Sequence, residues 1–255
     1  MNEINEQLIF NLNKRCSAGL ENFFVSESNE LAVNSVKNWK DWPTQKLLLV
    51  GPPGSGKSHL AEFWAEQIGA DKISIGDIDD IDVVRLGEKR GLLIDNIDEF
   101  GTYYASKKER VEEKLFYLLN SMAPTSCYFM MTSSTAMSTW GLKLPDVISR
   151  LKTTAVVELF PPDDKLLIAV LLKQFDDRQI KVTHEFVSFV SKRINRSFDS
   201  IREFVGLIDQ LSLKRKRNIT IPIASELIKD LEKRGTVTLE RNTSDLFPKR
   251  SNFIG

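Results

Sequence analysis

The 255-residue sequence lacks several features that mark whole classes of protein. It has only two cysteines, Cys16 and Cys127, which lie far apart and without CxxC spacing. Neither a disulfide framework nor a cysteine metal site is therefore expected, and we interpret both as free thiols in a reducing compartment. Lys plus Arg and Asp plus Glu are equal at 35 each. This balance removes the overall field that draws proteins to nucleic acids or membranes.

Long apolar stretches are also missing. No run approaches the roughly 18 apolar residues that a membrane-spanning helix needs. The first residues, 1–4, are polar or acidic apart from Met1 and Ile4 and lack the apolar core of a signal peptide. We see no internal repeat and no low-complexity segment. The sequence therefore predicts a cytoplasmic protein without a membrane partner, long enough for one or two domains.

One motif stands out against this background. It follows the apolar run 47–50, precedes a helical pattern at 60–68, and fits GxxxxGK[ST] at every fixed position. Its residues are Gly51, Pro52, Pro53, Gly54, Ser55, Gly56, Lys57 and Ser58. Glycines let backbone N–H groups turn toward phosphates, beside the positive end of the next helix. Lys57 can reach the β- and γ-phosphates, and the Ser58 hydroxyl is a Mg²⁺ ligand in such loops. The motif predicts a nucleotide site.

Apolar runs alternate with amphipathic stretches, which predicts a parallel sheet with helices on both faces. Strands are predicted at 47–50, 72–75, 91–97, 127–131 and 155–160, with helical spacing at 29–39, 60–68 and 107–121. After Pro162 the strand-like runs nearly vanish and helical periodicity takes over. We predict an N-terminal arm at 1–22, an α/β domain at 23–162, a helical domain at 163–235 and a flexible tail at 236–255.

The acid that accompanies a phosphate loop is expected at the end of a second buried strand, where it orders Mg²⁺. Asp95 ends the run 91–95 and fits this role. Asn96 follows it, and an amide orients water but accepts its proton poorly, so intrinsic hydrolysis should be slow or conditional. Asp98 and Glu99 could substitute as the base, but we favour their reading as the start of the next helix.

Motifs spread along the chain resemble the DnaA-related AAA+ family, particularly its shorter Hda-type members. The matching stretches are 21–29, 56–60, 95–97, 112–120, 132–134, 144–151 and 219–222. The resemblance covers roughly residues 7–235. It implies an α/β AAA+ P-loop NTPase base domain with a parallel sheet, followed by a small all-helical lid domain.

The resemblance also assigns residues. His59 joins the nucleotide-binding set through the family's GK[ST]HL pattern. Arg150 takes the arginine-finger role and Arg202 the lid-borne sensor 2 role. Ser134 stands at the sensor 1 position, where the replication initiator DnaA has an acidic residue. A serine there could orient water or phosphate, but without charge. A finger acts on a neighbour's γ-phosphate, whereas sensor 2 lets the lid report which nucleotide is bound.

DNA recognition is not predicted for this chain. The initiator's C-terminal helix-turn-helix domain has no counterpart in the sequence, and the basic run 214–217 is the one patch that could touch phosphates. We interpret that run as a solvated turn. Sequence-specific DNA binding is therefore not expected.

The N-terminal arm carries a second partner motif. Residues 7–12 resemble the short peptide with which bacterial proteins dock on the DNA polymerase sliding clamp, and Hda-type proteins carry it in this place. An amide would set its orientation and spaced apolar side chains would fill pockets. The residues concerned are Gln7, Leu8, Phe10 and Leu12.

The resemblance implies a regulator of replication initiation with ATP or ADP and Mg²⁺ as cofactors and with the sliding clamp and the initiator DnaA as partners. Two other hypotheses stay open: a DnaC-like helicase-loading ATPase, and a scaffold that binds nucleotide without hydrolysing it. Whether the chain has an ATPase activity of its own, and whether two copies pair, the sequence leaves open.

Overall fold

The computed structural model describes residues 23–78, 89–102, 108–215 and 219–233. The chain divides into two compact units between Asp163 and Asp164. We call them the base and the lid.

The base is built around a five-stranded parallel sheet in the part of the chain that the structure describes. Its strands are β1 (Lys46–Val50), β2 (Asp71–Ser74), β3 (Gly91–Asp95), β4 (Tyr128–Ser133) and β5 (Ala155–Glu158). Its helices are α1 (Glu30–Lys37), α2 (Lys57–Ile68), α3 (Glu99–Thr102), α4 (Lys108–Met122) and α5 (Pro145–Lys152). The predicted α/β class with a parallel sheet is confirmed.

The strand order is β2-β3-β4-β1-β5, so β1 lies between β4 and β5. Because side chains alternate along a strand, the leucines of β1 serve both faces. Leu48 joins the core under α4 and α5, whereas Leu47 and Leu49 join the core under α1 and α2. All three are almost completely buried. A strand buried on both faces reads as a continuous apolar run, which is why the sequence revealed it.

The elements differ from the predicted bounds mainly at their ends. Helix α2 begins at Lys57 rather than at residue 60, directly after the glycines of the loop. Strand β4 continues to Ser133, two residues beyond the predicted end. Strand β5 ends at Glu158, two residues before the predicted end, and Leu159 donates its N–H to the Val50 carbonyl of β1.

The lid consists of α6 (Asp164–Asp176), α7 (His184–Ser191), α8 (Phe198–Arg215) and α9 (Ile221–Lys233). Helix α7 starts with a Thr183 side-chain cap that accepts from the Phe186 N–H. The four helices share one apolar core that includes Leu171, Phe175 and Phe204. This unit is the all-helical domain predicted from helical periodicity. None of the helices in the described ranges is long and apolar enough to cross a bilayer.

The buried thiol of Cys127 gives a direct check on the packing of the base. Burial, with a smaller contribution from the negative charge of Asp71, raises the pKa of this thiol from 9.0 to about 11. In a Cys16→Ser variant at pH 8.5, the folded chain should react with iodoacetamide about 100-fold or more slowly than the urea-unfolded chain, because the thiolate is the reactive form. Equal rates in the two states would contradict the packing.

Candidate functional site

The phosphate loop occupies the carboxyl end of β1, between β4 and β5. Gly54 and Gly56 adopt φ values of 71° and 98°, which side-chain-bearing residues rarely adopt. A Cβ on Gly51 would meet the Leu159 carbonyl oxygen at 2.4 Å, so this position requires glycine for close approach. The loop residues that the motif singled out therefore have the backbone geometry that the motif needs.

Two polar side chains inside the loop fit a phosphate ligand. Lys57 is 5% exposed, and its Nζ donates to the carbonyls of Gly51 at 2.7 Å and Pro52 at 3.0 Å. The Ser55 hydroxyl is buried and has no hydrogen-bond partner in the described chain. A buried hydroxyl without a partner is unfavourable, and an oxyanion in the loop would satisfy it. The loop therefore fits the phosphate groups of a nucleotide.

The carboxylate of Asp95 connects the loop helix to the next strands. The Ser58 hydroxyl donates to Asp95 Oδ1 at 3.1 Å, and the Thr132 hydroxyl donates to the same oxygen at 2.5 Å. A hydroxyl and a carboxylate side by side are the hard oxygen donors that Mg²⁺ takes from such loops, with water and phosphate supplying the rest. Among the described residues no cluster of three His, Cys, Asp or Glu side chains forms a metal cage. The pair therefore fits Mg²⁺ as a phosphate-associated ion.

Asn96 turns the chain sharply after Asp95. Its φ is 52°, and its N–H donates to the Thr132 hydroxyl at 2.8 Å. Asparagine tolerates this left-handed conformation better than most residues. The Thr132 hydroxyl thus accepts from the Asn96 N–H and donates to the Asp95 carboxylate. Thr132 belongs to the predicted sensor 1 stretch 132–134, but the sequence did not predict its contacts with Asp95 and Asn96, although its place at the carboxyl end of β4, beside that of β3, was a usable signal.

Asp98 lies against the loop after β4. Its Oδ2 accepts from the Ser134 N–H at 3.0 Å and the Thr135 hydroxyl at 3.4 Å. Helix α3 begins at Glu99, as expected. Asp98 precedes this helix and also forms hydrogen bonds with the loop after β4. A carboxylate thus faces the backbone of the residue at the sensor 1 position. Sequence reasoning had not connected Asp98 with Ser134, because the contact joins the ends of two different strands.

An aromatic pair borders the helix that follows the loop. The rings of Phe23 and His59 stack with centroids 5.4 Å apart and an interplanar angle of 13°. Buried Asn29 orders the segment that bears Phe23. Its Oδ1 accepts from the Ser26 N–H, and its Nδ2 donates to the Phe24 carbonyl, both at 2.9 Å. A flat, ordered surface of this kind suits a planar base.

Arg150 lies in the last turn of α5, and side chains secure both ends of this helix. At the start, the buried Glu112 carboxylate accepts from the backbone N–H groups of Lys143 at 2.7 Å and Leu144 at 2.6 Å. At the end, the Thr153 hydroxyl donates to the Arg150 carbonyl at 2.7 Å. The arginine therefore projects from an ordered helix rather than from a loop.

The position of Arg150 is opposite that of the phosphate loop. The Thr44 hydroxyl, two residues before β1, donates to the Thr153 carbonyl at 2.9 Å, just beyond the end of α5. Burial and, to a smaller extent, the positive charge of Arg150 lower the pKa of Lys46, the first residue of β1. Arg150 thus lies near the amino end of the strand whose carboxyl end leads into the loop. Five residues of β1 separate the two ends by about 16 Å. Within its own base, Arg150 is not brought together with Lys57 or Asp95.

The predicted sensor 2 arginine belongs to the lid. Arg202 is an exposed residue of α8 in the lid, with its Nη2 3.8 Å from Asp199 Oδ1. The clamp peptide, the tail 236–255 and Cys16 lie outside the described residues, as do the side chains of the basic run 214–217. The peptide residues concerned are Gln7, Leu8, Phe10 and Leu12.

Comparison with known proteins gives a matching family for the lid. Residues 163–228 match the family model described as "Hda, lid domain".

Solved structures share the wider fold. Domain III of the replication initiation protein DnaA from Thermotoga maritima superposes with a TM-score of 0.68 at 19% identity, covering 83% of this chain and 95% of that one. AMPPCP-bound DnaA from Aquifex aeolicus superposes with a TM-score of 0.65 at 19% identity, covering 88% of this chain and 71% of that one. A RuvB variant from Thermotoga maritima superposes with a TM-score of 0.61 at 18% identity, covering 85% of this chain and 72% of that one. The AAA+ P-loop fold predicted for the chain is confirmed.

Replacement of the loop lysine tests the site. Lys57→Ala should weaken the binding of ATP and ADP by about 10- to 100-fold, because charged hydrogen bonds to phosphate are lost. Titration calorimetry measures the affinity directly. Lys72→Ala, which removes an exposed lysine from β2, is the matched control and should bind normally. Unchanged affinity in Lys57→Ala would refute the assignment of the loop.

Proposed function

We propose that the chain is a DnaA- and Hda-related AAA+ protein that regulates the initiation of chromosomal replication, because its lid matches the Hda lid model and its fold is that of DnaA domain III. In this proposal it holds ATP or ADP in its own phosphate loop and presents Arg150 to ATP that the initiator DnaA has bound. Hydrolysis on the initiator leaves that partner ADP-bound and inactive.

The observation that carries the proposal is the separation of Arg150 from the loop of its own chain. The Thr44 hydroxyl, two residues before β1, donates to the Thr153 carbonyl, three residues after Arg150, so the arginine lies near the amino end of β1, whereas the loop begins at the carboxyl end. A finger contributes where charge develops on a transferred γ-phosphoryl group, which requires contact with that group. Since β1 keeps the two sites apart, the γ-phosphate that Arg150 serves belongs to another molecule.

The chain's own nucleotide acts as a regulatory ligand in this proposal. Lys57 holds the phosphates, while Ser58 and Asp95 hold Mg²⁺, which neutralises phosphate charge when bound. The related DnaA of Aquifex aeolicus was solved with AMPPCP bound. Asn96 and Ser134 lack a carboxylate that could take a proton from water, so turnover by the chain alone is slow. Arg202 keeps the sensor 2 role that the family resemblance implies.

Clamp docking through the N-terminal arm would bring the chain to replicating DNA. The support is the sequence of residues 7–12 together with the Hda-type lid. Docking through a short arm would concentrate Arg150 near the initiator without involving the base or the lid.

Turnover measurements separate this function from the two alternatives. Phosphate release is measured for the purified protein alone, with single-stranded DNA, with clamp loaded on DNA, and with ATP-loaded initiator plus loaded clamp. The proposal requires fast hydrolysis only in the last mixture. A helicase loader of the DnaC type would show turnover stimulated by single-stranded DNA without clamp. A non-hydrolysing scaffold would not raise the rate of phosphate release in any mixture.

Replacement of Gln7 and Phe10 by Ala should abolish clamp binding while nucleotide affinity stays unchanged, because these residues precede the folded base. Surface plasmon resonance with immobilised clamp measures the first quantity and calorimetry the second. An Asn2→Ala, Asn13→Ala variant, changed on either side of residues 7–12, is the control for general changes in the arm. Normal clamp binding by the Gln7, Phe10 variant would favour the helicase-loader alternative.

Arg150→Ala should lower the initiator hydrolysis rate in the loaded-clamp mixture by about 10³-fold or more. Folding, nucleotide affinity and clamp binding should be retained, because a finger acts mainly in the transition state. Arg150→Lys should fail nearly as badly, since an ammonium cannot reproduce the planar paired hydrogen bonds of guanidinium.

The matched control is Lys152→Ala. Lys152 is an exposed cation on the same helix, but side chains two positions apart do not face the same direction. This variant should stimulate hydrolysis normally. Stimulation by Arg150→Ala at the rate of the parent would refute the proposed function.

A further inference from the structure

The amino end of β1 is tied to the end of the arginine-bearing helix. The Thr44 hydroxyl donates to the Thr153 carbonyl at 2.9 Å, and the Thr153 hydroxyl donates to the Arg150 carbonyl at 2.7 Å. Thr44 lies two residues before Lys46, the first residue of β1. These two hydrogen bonds connect the segment that carries Lys46 with the helix that carries Arg150.

The turn before β1 has an unusual backbone. Thr44 and Gln45 have φ values of 54° and 57°, and neither is glycine. A β-branched residue in the left-handed region is a genuine outlier. Such strain persists only where the surroundings enforce it, and it clusters at functional sites. Lys46 follows this strained turn directly, so the turn sets where β1 and its lysine begin.

Lys46 and Arg150 lie on segments that these hydrogen bonds join, and neither takes part in an ion pair among the described residues. Lys46 is half-buried, and burial and then the charge of Arg150 lower its pKa. In the described part of the chain no carboxylate forms an ion pair with Lys46 or Arg150. Two neighbouring, partly buried like charges are unfavourable by themselves. An anion bound between them would remove both the repulsion and the loss of solvation.

We propose that Lys46 and Arg150 form a two-cation site for the phosphate groups of a nucleotide that another protein molecule holds. Arginine provides a planar fork for two phosphate oxygens, and lysine adds a point charge. Lys46 is then a further catalytic residue that acts in trans. This inference rests on the proposed function, in which the other molecule is the ATP-loaded initiator.

The first test measures hydrolysis by ATP-loaded initiator with loaded clamp and Lys46→Gln. The rate should fall about 10- to 100-fold, since one charged contact to phosphate is lost. The thermal midpoint should stay equal or rise, because the repulsion is removed. Lys152→Gln, with the same charge change on the same helix, should retain the parent's rate. A merely structural Lys46 would lower the midpoint and leave the rate per folded molecule unchanged.

The second test measures anion binding directly. Inorganic tripolyphosphate is titrated into protein saturated with ADP and Mg²⁺, so that the chain's own loop is filled. The parent should gain thermal stability, whereas Lys46→Gln and Arg150→Ala should gain clearly less. Equal gains in all three proteins would overturn the site. A labelled single-stranded oligonucleotide serves as the other phosphate source, and loss of its binding in Lys46→Gln with unchanged hydrolysis would also overturn the proposal.

The outcomes for the two proposals are distinct. If Arg150→Ala loses stimulation and Lys46→Gln keeps it, the role of Lys46 is wrong and the proposed function stands. If both variants stimulate as the parent does, the proposed function is wrong, and the tripolyphosphate titration alone then decides whether the two cations bind phosphate.

Discussion

The polarity of one buried strand governs the arrangement of the base. Strand β1 is pinned through Leu47, Leu48 and Leu49 to the cores on both faces of the sheet, so it is rigid and its ends cannot approach each other. Its carboxyl end leads into the phosphate loop and its amino end carries Lys46 beside Arg150. A parallel sheet thereby puts the phosphate loop and the proposed two-cation site at opposite edges of one chain.

Hydrogen bonds between elements give each edge its order. At the carboxyl edge, Thr132 joins Asp95 and Asn96, so the acid after β3 is held by the end of β4. At the other edge, Glu112 and Thr153 secure the two ends of α5. Groups held this way need little reorganisation when charge develops on phosphate, which is the main requirement for electrostatic catalysis.

Most of the fold was predictable because its physical causes are local in the sequence. Parallel strands buried on both faces read as apolar runs, and lid helices read as a period of 3.6. The bounds of α2 were missed since the loop glycines hide a helix that begins at Lys57. The Thr132 and Asp98 contacts were missed because they connect ends of strands that only the sheet order brings together.

By itself, the sequence determined the phosphate loop, the acid that follows a second strand and the change from an α/β base to a helical lid, because spacing and periodicity encode these features directly. The tertiary structure decided which residues meet. It put Lys46 beside Arg150, over a hundred positions later in the chain, through the pairing of β1 with β5 and the Thr44–Thr153 hydrogen bond. Such proximity depends on strand order and on a strained turn, and neither leaves a pattern in the sequence.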